Sequence, residues 1–417
     1  MIKRAFLLLV IISGMASGQG LELLSSVEMP GFYFWGIDLQ GNYAYLSCEC
    51  HPDTGMLKIF DISDPYYPIL VGEADTLGRG RGQDIIANKD FAYIAEQSGG
   101  LQIYNISSPS NPYPIAIAPV EYAAHTLALK NNLIFIANCN RGMTVVDVSN
   151  PYQPVIINRY YDRDVGDLEA IYIIDNFAYV ASLRGVIAVL DISDPLNPWI
   201  VGQNDEYGWG RYYDIIVEDH YAYTSAPGHD VIIFDISDPE HISTVSIIDL
   251  NHSVYRLFKY GYYLFVANGT NLDVYNIADV TSPELLCRIE ESCFIDVMVR
   301  DGIVYTCGYP WFNIYSFAVT DLPEKDNSRS LQIRALANYP NPFNNSTTIS
   351  YHLTDESFVK LVVYDLLGRE TLQLVKENQM PGEHSVHFDA DELSSGIYFY
   401  RLQAGNIVEY RKMQLLK

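Results

Sequence analysis

The chain has 417 residues, of which 49% are hydrophobic and 18% charged, and this composition excludes a largely disordered protein. A formal net charge of −25 argues against binding to nucleic acid or to anionic membrane surfaces. The 33 tyrosines and an aromatic content of 13% favour an all-β fold, because aromatic side chains suit half-buried pleated surfaces.

Residues 1–18 have the layout of a cleaved Sec signal peptide. Lys3 and Arg4 precede an apolar run over 5–12, and small residues end the segment at Gly18. The apolar run is shorter than the roughly 20 residues that a membrane span needs, and no cysteine follows it to carry a lipid. We predict an exported chain without an integral membrane segment after cleavage. Loss of Lys3 and Arg4 leaves 24 basic against 51 acidic residues, a net charge of −27.

Seven repeats with a period near 42 residues follow the signal peptide. In each repeat an aromatic residue marks one extended segment, a polar residue marks the next, and four short extended segments fill the period. The aromatic positions are Tyr45, Tyr93, Phe135, Tyr179, Tyr223, Phe265 and Tyr305. The polar positions are Asp61, Asn105, Asp147, Asp191, Asp235, Asn276 and Ser316. Four strands in such a period are typical of propeller blades, so 21–320 is predicted to form a seven-bladed β-propeller.

The sequence Asp-Ile-Ser-Asp-Pro recurs after the third segment of several repeats. A calcium loop is one interpretation of this motif, and a structural turn is the other. The first Asp is placed to accept hydrogen bonds from nearby backbone N–H groups, and proline fixes the following bend. We interpret the motif as a turn.

The last repeat lacks a fourth strand before the charged stretch that begins at 321. The N-terminal segment 21–29 has the pattern of the fourth strands in other repeats, such as PILVGEAD. We expect it to pair with 313–317 and close the ring, which removes two exposed sheet edges.

The segments GNYAYL, LKIFDISDPYYP, DNFAYVA and IAVLDISDPLNPWIVG resemble the LVIVD repeat family, which occurs in surface and secreted propellers. The resemblance covers about 21–320. It implies a propeller fold and an export context, and it supplies no catalytic motif to carry over.

A different module follows a polar linker over 321–334. Alternating apolar residues over 335–417 predict a small Ig-like β-sandwich. Its opening ANYPNPFN, its YDLLGR turn and its SGIYFYRL segment resemble the type A C-terminal sorting domain of the type IX secretion system. The motif that carries this resemblance is Tyr339, Pro340, Asn341, Pro342, Phe343 and Asn344. The resemblance implies the outer-membrane secretion machinery as a partner, often with cleavage of the tag; the alternative is a plain Ig-like domain that stays attached.

The chain contains no Gly-rich phosphate loop, no G-x-S-x-G elbow and no H-E-x-x-H motif. The six cysteines are scattered, and Cys48 with Cys50 lack the second pair that a zinc site needs. We therefore predict no cofactor and no metal. The acidic loop Asp162, Asp164, Asp167 and Glu169 is a weak calcium candidate, and solvated loop charge is its plainer explanation.

The expected ligand site lies where the innermost strand of each blade begins, on the face that carries the irregular loops. Counting nine residues back from each aromatic position places one residue per blade at this channel mouth. These aligned residues are Gly36, Asp84, Thr126, Ala170, Asp214, Arg256 and Asp296. Trp209 and Arg211 lie in a nearby loop and suit stacking on a sugar or peptide. Our candidate ligand-binding residues are Asp84, Trp209, Arg211, Asp214, Arg256 and Asp296.

Each of these candidates also has a structural explanation. Trp209 suits packing at a blade junction, and the arginines suit a role as counterions to the carboxylates. We predict a noncatalytic secreted or cell-surface module that binds an extracellular glycan or protein. The alternative is an extracellular hydrolase or lyase with a dispersed site, and a purely structural envelope role is a third. A close acid–base pair with perturbed pKa values at the channel mouth distinguishes the enzyme.

Overall fold

The computed structural model describes residues 8–9, 20–50, 54–77, 80–120, 123–139, 141–207, 212–226, 230–250, 253–290, 292–318, 333–353, 357–364, 370–390, 393–404 and 407–417. These residues form strands and turns, and among them no helix is long and apolar enough to cross a bilayer. Two compact units divide the chain, Met1–Thr320 and Asp321–Lys417, and each is described by itself. Apart from Leu8–Leu9, the predicted signal peptide lies outside the described residues.

The first unit is a seven-bladed β-propeller, in which each blade is an antiparallel sheet; the strands of blades 1 to 6 follow one another in sequence, and blade 7 combines C-terminal strands with an N-terminal one. The two N-terminal strands are β1 (Leu8–Leu9) and β2 (Gly20–Glu28). Blade 1 contains β3 (Phe32–Gln40), β4 (Tyr43–Cys50), β5 (Thr54–Asp61) and β6 (Ile69–Asp75). Blade 2 contains β7 (Gly82–Asn88), β8 (Phe91–Glu96), β9 (Gly100–Asn105) and β10 (Tyr113–Ala118). Blade 3 contains β11 (Ala124–Lys130), β12 (Leu133–Asn138), β13 (Gly142–Asp147) and β14 (Val155–Tyr160).

The remaining blades repeat this arrangement. Blade 4 contains β15 (Leu168–Ile174), β16 (Phe177–Ser182), β17 (Ile187–Asp191) and β18 (Trp199–Asn204). Blade 5 contains β19 (Ile215–Glu218), β20 (Tyr221–Ser225), β21 (Asp230–Asp235) and β22 (Ser243–Asp249). Blade 6 contains β23 (Arg256–Tyr260), β24 (Tyr263–Ala267), β25 (Leu272–Asn276) and β26 (Glu284–Ile289). Blade 7 contains β27 (Asp296–Arg300), β28 (Ile303–Cys307) and β29 (Trp311–Ala318).

The repeated Asp-Ile-Ser-Asp-Pro motif forms the turn between the third and fourth strands, as predicted. Asp61 Oδ1 accepts a hydrogen bond from the backbone N–H of Ser63 at 2.9 Å, and Asp147 Oδ1 accepts the equivalent bond from Ser149 at 2.8 Å. These bonds to serine lower the pKa of both carboxyl groups. The motif therefore serves to turn the chain.

The N-terminal strand closes the ring. β2 pairs antiparallel with β29, with Leu21 opposite Phe317 and Ser26 opposite Asn313, which confirms the predicted pairing. A β-bulge interrupts the pairing of the third and fourth strands in all seven blades, and in blade 7 it falls within β2. β2 thus has the local geometry of a fourth strand. Val27 of β2 is fully buried in one apolar cluster with residues of blade 1.

The second unit is a small Ig-like sandwich of two antiparallel sheets. One sheet has the order β30 (Ile333–Tyr339), β31 (Ser346–Leu353) and β34 (Gly382–Asp389). The other has the order β33 (Glu370–Gln379), β32 (Ser357–Tyr364), β35 (Gly396–Ala404) and β36 (Ile407–Leu415). Apolar residues alternate along these strands and form one core that includes Ile349, Leu361 and Tyr400. Nearly all of the predicted linker 321–334 lies outside the described residues.

Candidate ligand-binding site

The innermost strands of the seven blades line the propeller axis. β3, β7, β11, β15, β19, β23 and β27 lie side by side around a closed ring. Six of the aligned residues lie within two residues of the starts of these strands, and Gly36 lies in the middle of β3, so the sequence register places one aligned residue per blade around the axis.

The aligned acceptors join each blade to the next. In four blades, the aligned side chain accepts a hydrogen bond from the backbone N–H that lies one residue beyond the aligned position of the following blade. The bonds run from Leu127 N to Asp84 Oδ2 at 2.8 Å, from Ile171 N to Thr126 Oγ1 at 3.1 Å, from Leu257 N to Asp214 Oδ2 at 2.7 Å, and from Ile37 N to Asp296 Oδ2 at 2.9 Å. Asp84, Asp214 and Asp296 also accept a bond from the next N–H of their own strand. These carboxylates therefore hold blades together.

Arg256 crosses the axis from blade 6. Its guanidinium donates one hydrogen bond to the carbonyl of Tyr213 at 3.0 Å and another to the carbonyl of Gln83 at 3.1 Å. The same group lies 3.7 Å from Asp84 Oδ1. Arg256 lines two cavities, one on each side of it, and so forms a floor that divides the channel.

The charged groups on this floor shift one another's pKa values. Burial raises the pKa of Asp214 to about 6 and that of Asp296 to about 7, and Arg256 partly opposes both shifts. Burial also raises the pKa of Asp84, again against Arg256. Burial by itself lowers the pKa of Arg256, but the three carboxyl groups together raise it above its ordinary value. The guanidinium therefore stays charged and compensates the carboxylates around it.

The cavity on the side of the irregular loops is here called the loop-side cavity, and its volume is about 240 Å³. Most of its lining comes from the residues that immediately precede the aligned ones. Its lining residues are Trp35, Arg81, Gln83, Gln97, His125, Tyr213, Tyr255, Arg256 and Ile295. The cavity on the side of the Asp-Pro turns, the turn-side cavity, measures about 350 Å³ and is lined mainly by aliphatic side chains of the innermost strands.

Fixed aromatic rings face the loop-side cavity. The rings of Tyr213 and Tyr255 lie 5.4 Å apart between centroids and are tilted by 31°. Trp35 Nε1 donates a hydrogen bond to Glu49 Oε2 at 3.2 Å, and Arg81 Nε lies 3.2 Å from the same oxygen. The mostly buried Glu49 therefore orients both an aromatic ring and a guanidinium at the cavity wall.

Two family signatures match the chain. The LVIVD repeat matches at 33–76, 79–116, 123–162, 165–205 and 210–249, which correspond to blades 1 to 5. The secretion system C-terminal sorting domain matches residues 337–415. The chain is an LVIVD-repeat propeller with a C-terminal sorting domain. This tail marks the LVIVD propeller for type IX secretion to the cell surface or the extracellular space.

Solved structures share the fold at low sequence identity, and two of them are named as β-propellers. The WD40 β-propeller domain of Doa1 aligns with a TM-score of 0.57 and 10% identity, over 72% of this chain and 98% of that one. The β-propeller domain of Myceliophteria thermophila Cps50 (Swd1) aligns with a TM-score of 0.54 and 12% identity, over 72% and 100%. A putative 6-phosphogluconolactonase from Bacteroides uniformis aligns with a TM-score of 0.57 and 14% identity, over 63% of this chain and 87% of that one. Comparison with curated proteins gives no significant match.

The structure describes four of the six sequence-based candidates for ligand binding in the LVIVD propeller. Asp84, Asp214, Asp296 and Arg256 meet at the channel floor. Trp209 and Arg211 lie outside the described residues, although Tyr213, from the same loop, lines the loop-side cavity. Sequence reasoning did not select Trp35, Gln83, His125 or Tyr255. Each of them stands one position before an aligned residue, so counting ten residues back from the aromatic positions, instead of nine, would have found them.

The acidic loop of blade 4 does not gather its carboxylates. Asp162 Oδ1 accepts hydrogen bonds from the backbone N–H groups of Asp164 at 2.7 Å and Val165 at 3.2 Å, so it caps its own loop. Glu169 is buried apart from it, beside His125. In the described part of the chain, no three of Asp162, Asp164, Asp167 and Glu169 bring ligand atoms together.

The sorting motif is built into the sandwich core. Phe343 is buried, its N–H donates to the carbonyl of Gln414, and its own carbonyl accepts from the N–H of Leu416, both at 2.8–2.9 Å. Asn341 Oδ1 accepts a bond from Gln414 N at 2.9 Å. Pro340 and Asn344 are exposed, Pro342 continues the turn, and Tyr339 ends β30. The motif thus ties the start of the tail to its last strand.

Proposed function

We propose that the LVIVD propeller is a noncatalytic binding module that holds one sugar residue of an extracellular glycan in the loop-side cavity. The observation that carries this proposal is a ring of aromatic side chains, Trp35, Tyr213 and Tyr255, around a small cavity with a closed floor. Pockets for drug-sized ligands begin at roughly 300 Å³, so a cavity of about 240 Å³ suits a single ring-sized group.

The polar lining supports a sugar as this group. Gln83, Gln97 and Arg81 offer amide and guanidinium groups that match hydroxyl groups in hydrogen bonding, while aromatic faces match the C–H face of a sugar ring. Among the lining residues that the structure describes there is no carboxylate, although the protein as a whole is strongly acidic. Neutral sugars and sugars that carry a carboxylate are therefore both expected ligands, and basic sugars are not.

The state of the channel carboxylates favours binding over catalysis. Asp84, Asp214 and Asp296 each accept two backbone hydrogen bonds and surround Arg256. Such groups are held in place by the blades, and none of them lines the loop-side cavity. The enzyme alternative depends instead on His125, which lines the cavity, and on the buried Glu169, whose Oε2 lies 3.0 Å from His125 Nδ1.

A glycan array probed with the labelled full-length mature protein tests this proposal, followed by calorimetry on the strongest hit. Tyr255→Ala and Trp35→Ala are each expected to weaken binding about tenfold or more, which corresponds to at least about 1.4 kcal/mol. The matched control is Tyr172→Ala, because Tyr172 is a partly exposed aromatic residue of the turn-side cavity. Melting curves report whether each variant is folded.

Retained affinity in Tyr255→Ala and Trp35→Ala, or a larger loss in Tyr172→Ala, overturns the proposed site. Consumption of the bound glycan over hours would instead support an extracellular hydrolase or lyase.

A further inference from the structure

Three metal-ligating side chains meet behind the wall of the loop-side cavity. His125 stands near the start of β11, Cys139 lies in the turn after β12, and Glu169 lies near the start of β15 in the next blade. One ligand atom of each lies within 4.8 Å of the other two. His125 Nδ1 and Glu169 Oε2 are 3.0 Å apart. The cluster therefore joins blades 3 and 4.

Glu169 is the residue that most needs a cation. Its side chain is 0% exposed, and neither carboxylate oxygen has a hydrogen bond. His125 is within ion-pair distance, but the pair is not aligned as a hydrogen bond. A carboxylate buried without hydrogen bonds is costly unless a positive charge compensates it. A metal ion between the three side chains would supply that charge.

The donor set selects the class of metal. Thiolate, imidazole and carboxylate are the ligands of zinc, whereas calcium and magnesium prefer oxygen atoms alone. Two atoms bound tetrahedrally at about 2.1 Å from one zinc ion lie roughly 3.4 Å apart. The separation of 3.0 Å between His125 Nδ1 and Glu169 Oε2 is close to this value. We propose that His125, Cys139 and Glu169 bind one zinc-class divalent ion.

Three protein ligands leave a fourth coordination position. His125 lines the loop-side cavity, and water or a ligand oxygen from this cavity would complete the tetrahedron. The metal also fixes His125 relative to the buried Glu169 across the blade 3–blade 4 junction. The proposed site stands on these contacts and does not depend on the identity of any glycan.

Zinc titration of the mature protein tests the proposal. The protein carries no affinity tag and is first treated with a chelator, to remove bound metal, and with a phosphine reductant. Calorimetry is expected to give one zinc ion per chain. Cys139→Ser and Glu169→Gln are each expected to weaken zinc binding at least tenfold. The matched control is Cys287→Ser in β26 of blade 6, a half-buried cysteine far along the ring, which should bind zinc as the parent protein does.

Cobalt substitution provides a second measurement. A thiolate-to-cobalt charge-transfer absorption is expected in the parent protein and in Cys287→Ser, and it should be lost in Cys139→Ser. Zinc should also raise the melting temperature of the parent protein and not that of Glu169→Gln, because an ion that binds only the folded state stabilises it.

Melting without zinc shows whether each variant is folded before titration. Failure of the reduced parent protein to bind zinc, or unchanged affinity in Cys139→Ser and Glu169→Gln, overturns the site. Failure of glycan binding leaves these results untouched.

Discussion

Buried carboxyl groups give individual residues of this propeller unusual protonation behaviour. Burial raises the pKa of Asp38 and Asp214 to about 6, and that of Asp296 and Glu96 to about 7. Three of these groups are coupled to other charges at the axis. Glu96 is the simplest case, because burial is the main cause of its shift and the hydroxyl of Thr76 opposes it only partly.

Glycines make the space that Glu96 occupies. A methyl group at Gly99 or Gly55 would overlap a carboxylate oxygen of Glu96, and one at Gly80 would press on the same side chain. These glycines of β5 and of the loops of blades 1 and 2 therefore enclose this side chain closely, and the low polarity of the enclosure disfavours its charged form.

Glu96→Gln should stabilise the protein at alkaline pH. The ordinary pKa of this group is 4.5, and in the folded protein it is raised to about 7. The contribution of Glu96 to stability is therefore complete below about pH 4.5 and is lost as the pH rises to about 7, where the buried charge costs about 3 kcal/mol. Urea unfolding should show Glu96→Gln to be more stable than the parent at pH 8 and nearly equal to it at pH 5.

The control is Glu22→Gln, because Glu22 is exposed in β2. It should change the free energy of unfolding little at either pH. A gain in Glu96→Gln that is the same at pH 5 and pH 8 would contradict the assigned titration.

The sequence register predicted which residues lie at the axis and missed what they do there. Asp84 and Asp296 were selected as ligand groups, but each accepts a backbone N–H from the next blade. That bond depends on how closely two innermost strands approach, and no pattern within one strand encodes this distance. Tyr255 and Trp35 were not predicted as part of the site for a related reason, since only packing decides which of two neighbouring positions faces the cavity.

Strands and turns were more predictable than side-chain roles. The four-strand period, the Asp-Pro turns and the use of 21–29 as a fourth strand all follow from local alternation and turn chemistry. The recurring β-bulge between the third and fourth strands was not predicted. The residue that it leaves unpaired is a branched aliphatic residue in each blade, such as Ile157 and Val245, and regular strands are rich in the same residue types, so the sequence carries no clear sign of it.

Val27→Ala should weaken the closure of the ring. Val27 is fully buried opposite Phe312, and it packs in the cluster that joins blade 7 to blade 1. Its truncation leaves a cavity and should lower the free energy of unfolding by about 2 kcal/mol. Urea denaturation of the parent and the variant measures the difference.

Glu22→Ala in the same strand is the matched control, because its side chain is exposed. A change within about 0.5 kcal/mol is expected there. Equal losses in the two variants would show that β2 contributes through its backbone pairing alone.

At the scale of the whole molecule, the C-terminal sorting domain marks the propeller for secretion. Its sorting motif is fastened to β36 by the buried Phe343 and by Asn341, so it forms part of the folded sandwich. The propeller forms its core from its own strands. We therefore expect folding and secretion to be separable.

Removal of 337–417 should leave a folded propeller in the periplasm. Cell fractionation and surface protease treatment measure its location, and the melting temperature of the purified fragment measures its folding. In the control, an unrelated Ig-like domain of similar size replaces 337–417, which tests whether any sandwich would serve. Arrival of the truncated or the substituted protein at the cell surface would rule out the tail as the sorting signal.

The pairing of β2 with β29 also determines when the propeller ring can close during synthesis and folding. Ser26 and its partner Asn313 are 287 residues apart, so β2 is synthesised early but can pair only after β29, the last strand of the propeller, has been made. Pairing over such a separation is slow, because most of the chain must be ordered before the contact forms. Until β29 has been translocated, the propeller remains an open arc with a free edge. The ring therefore closes only after the whole propeller sequence has been made, and an export machinery that acts before that point receives a chain that is still open.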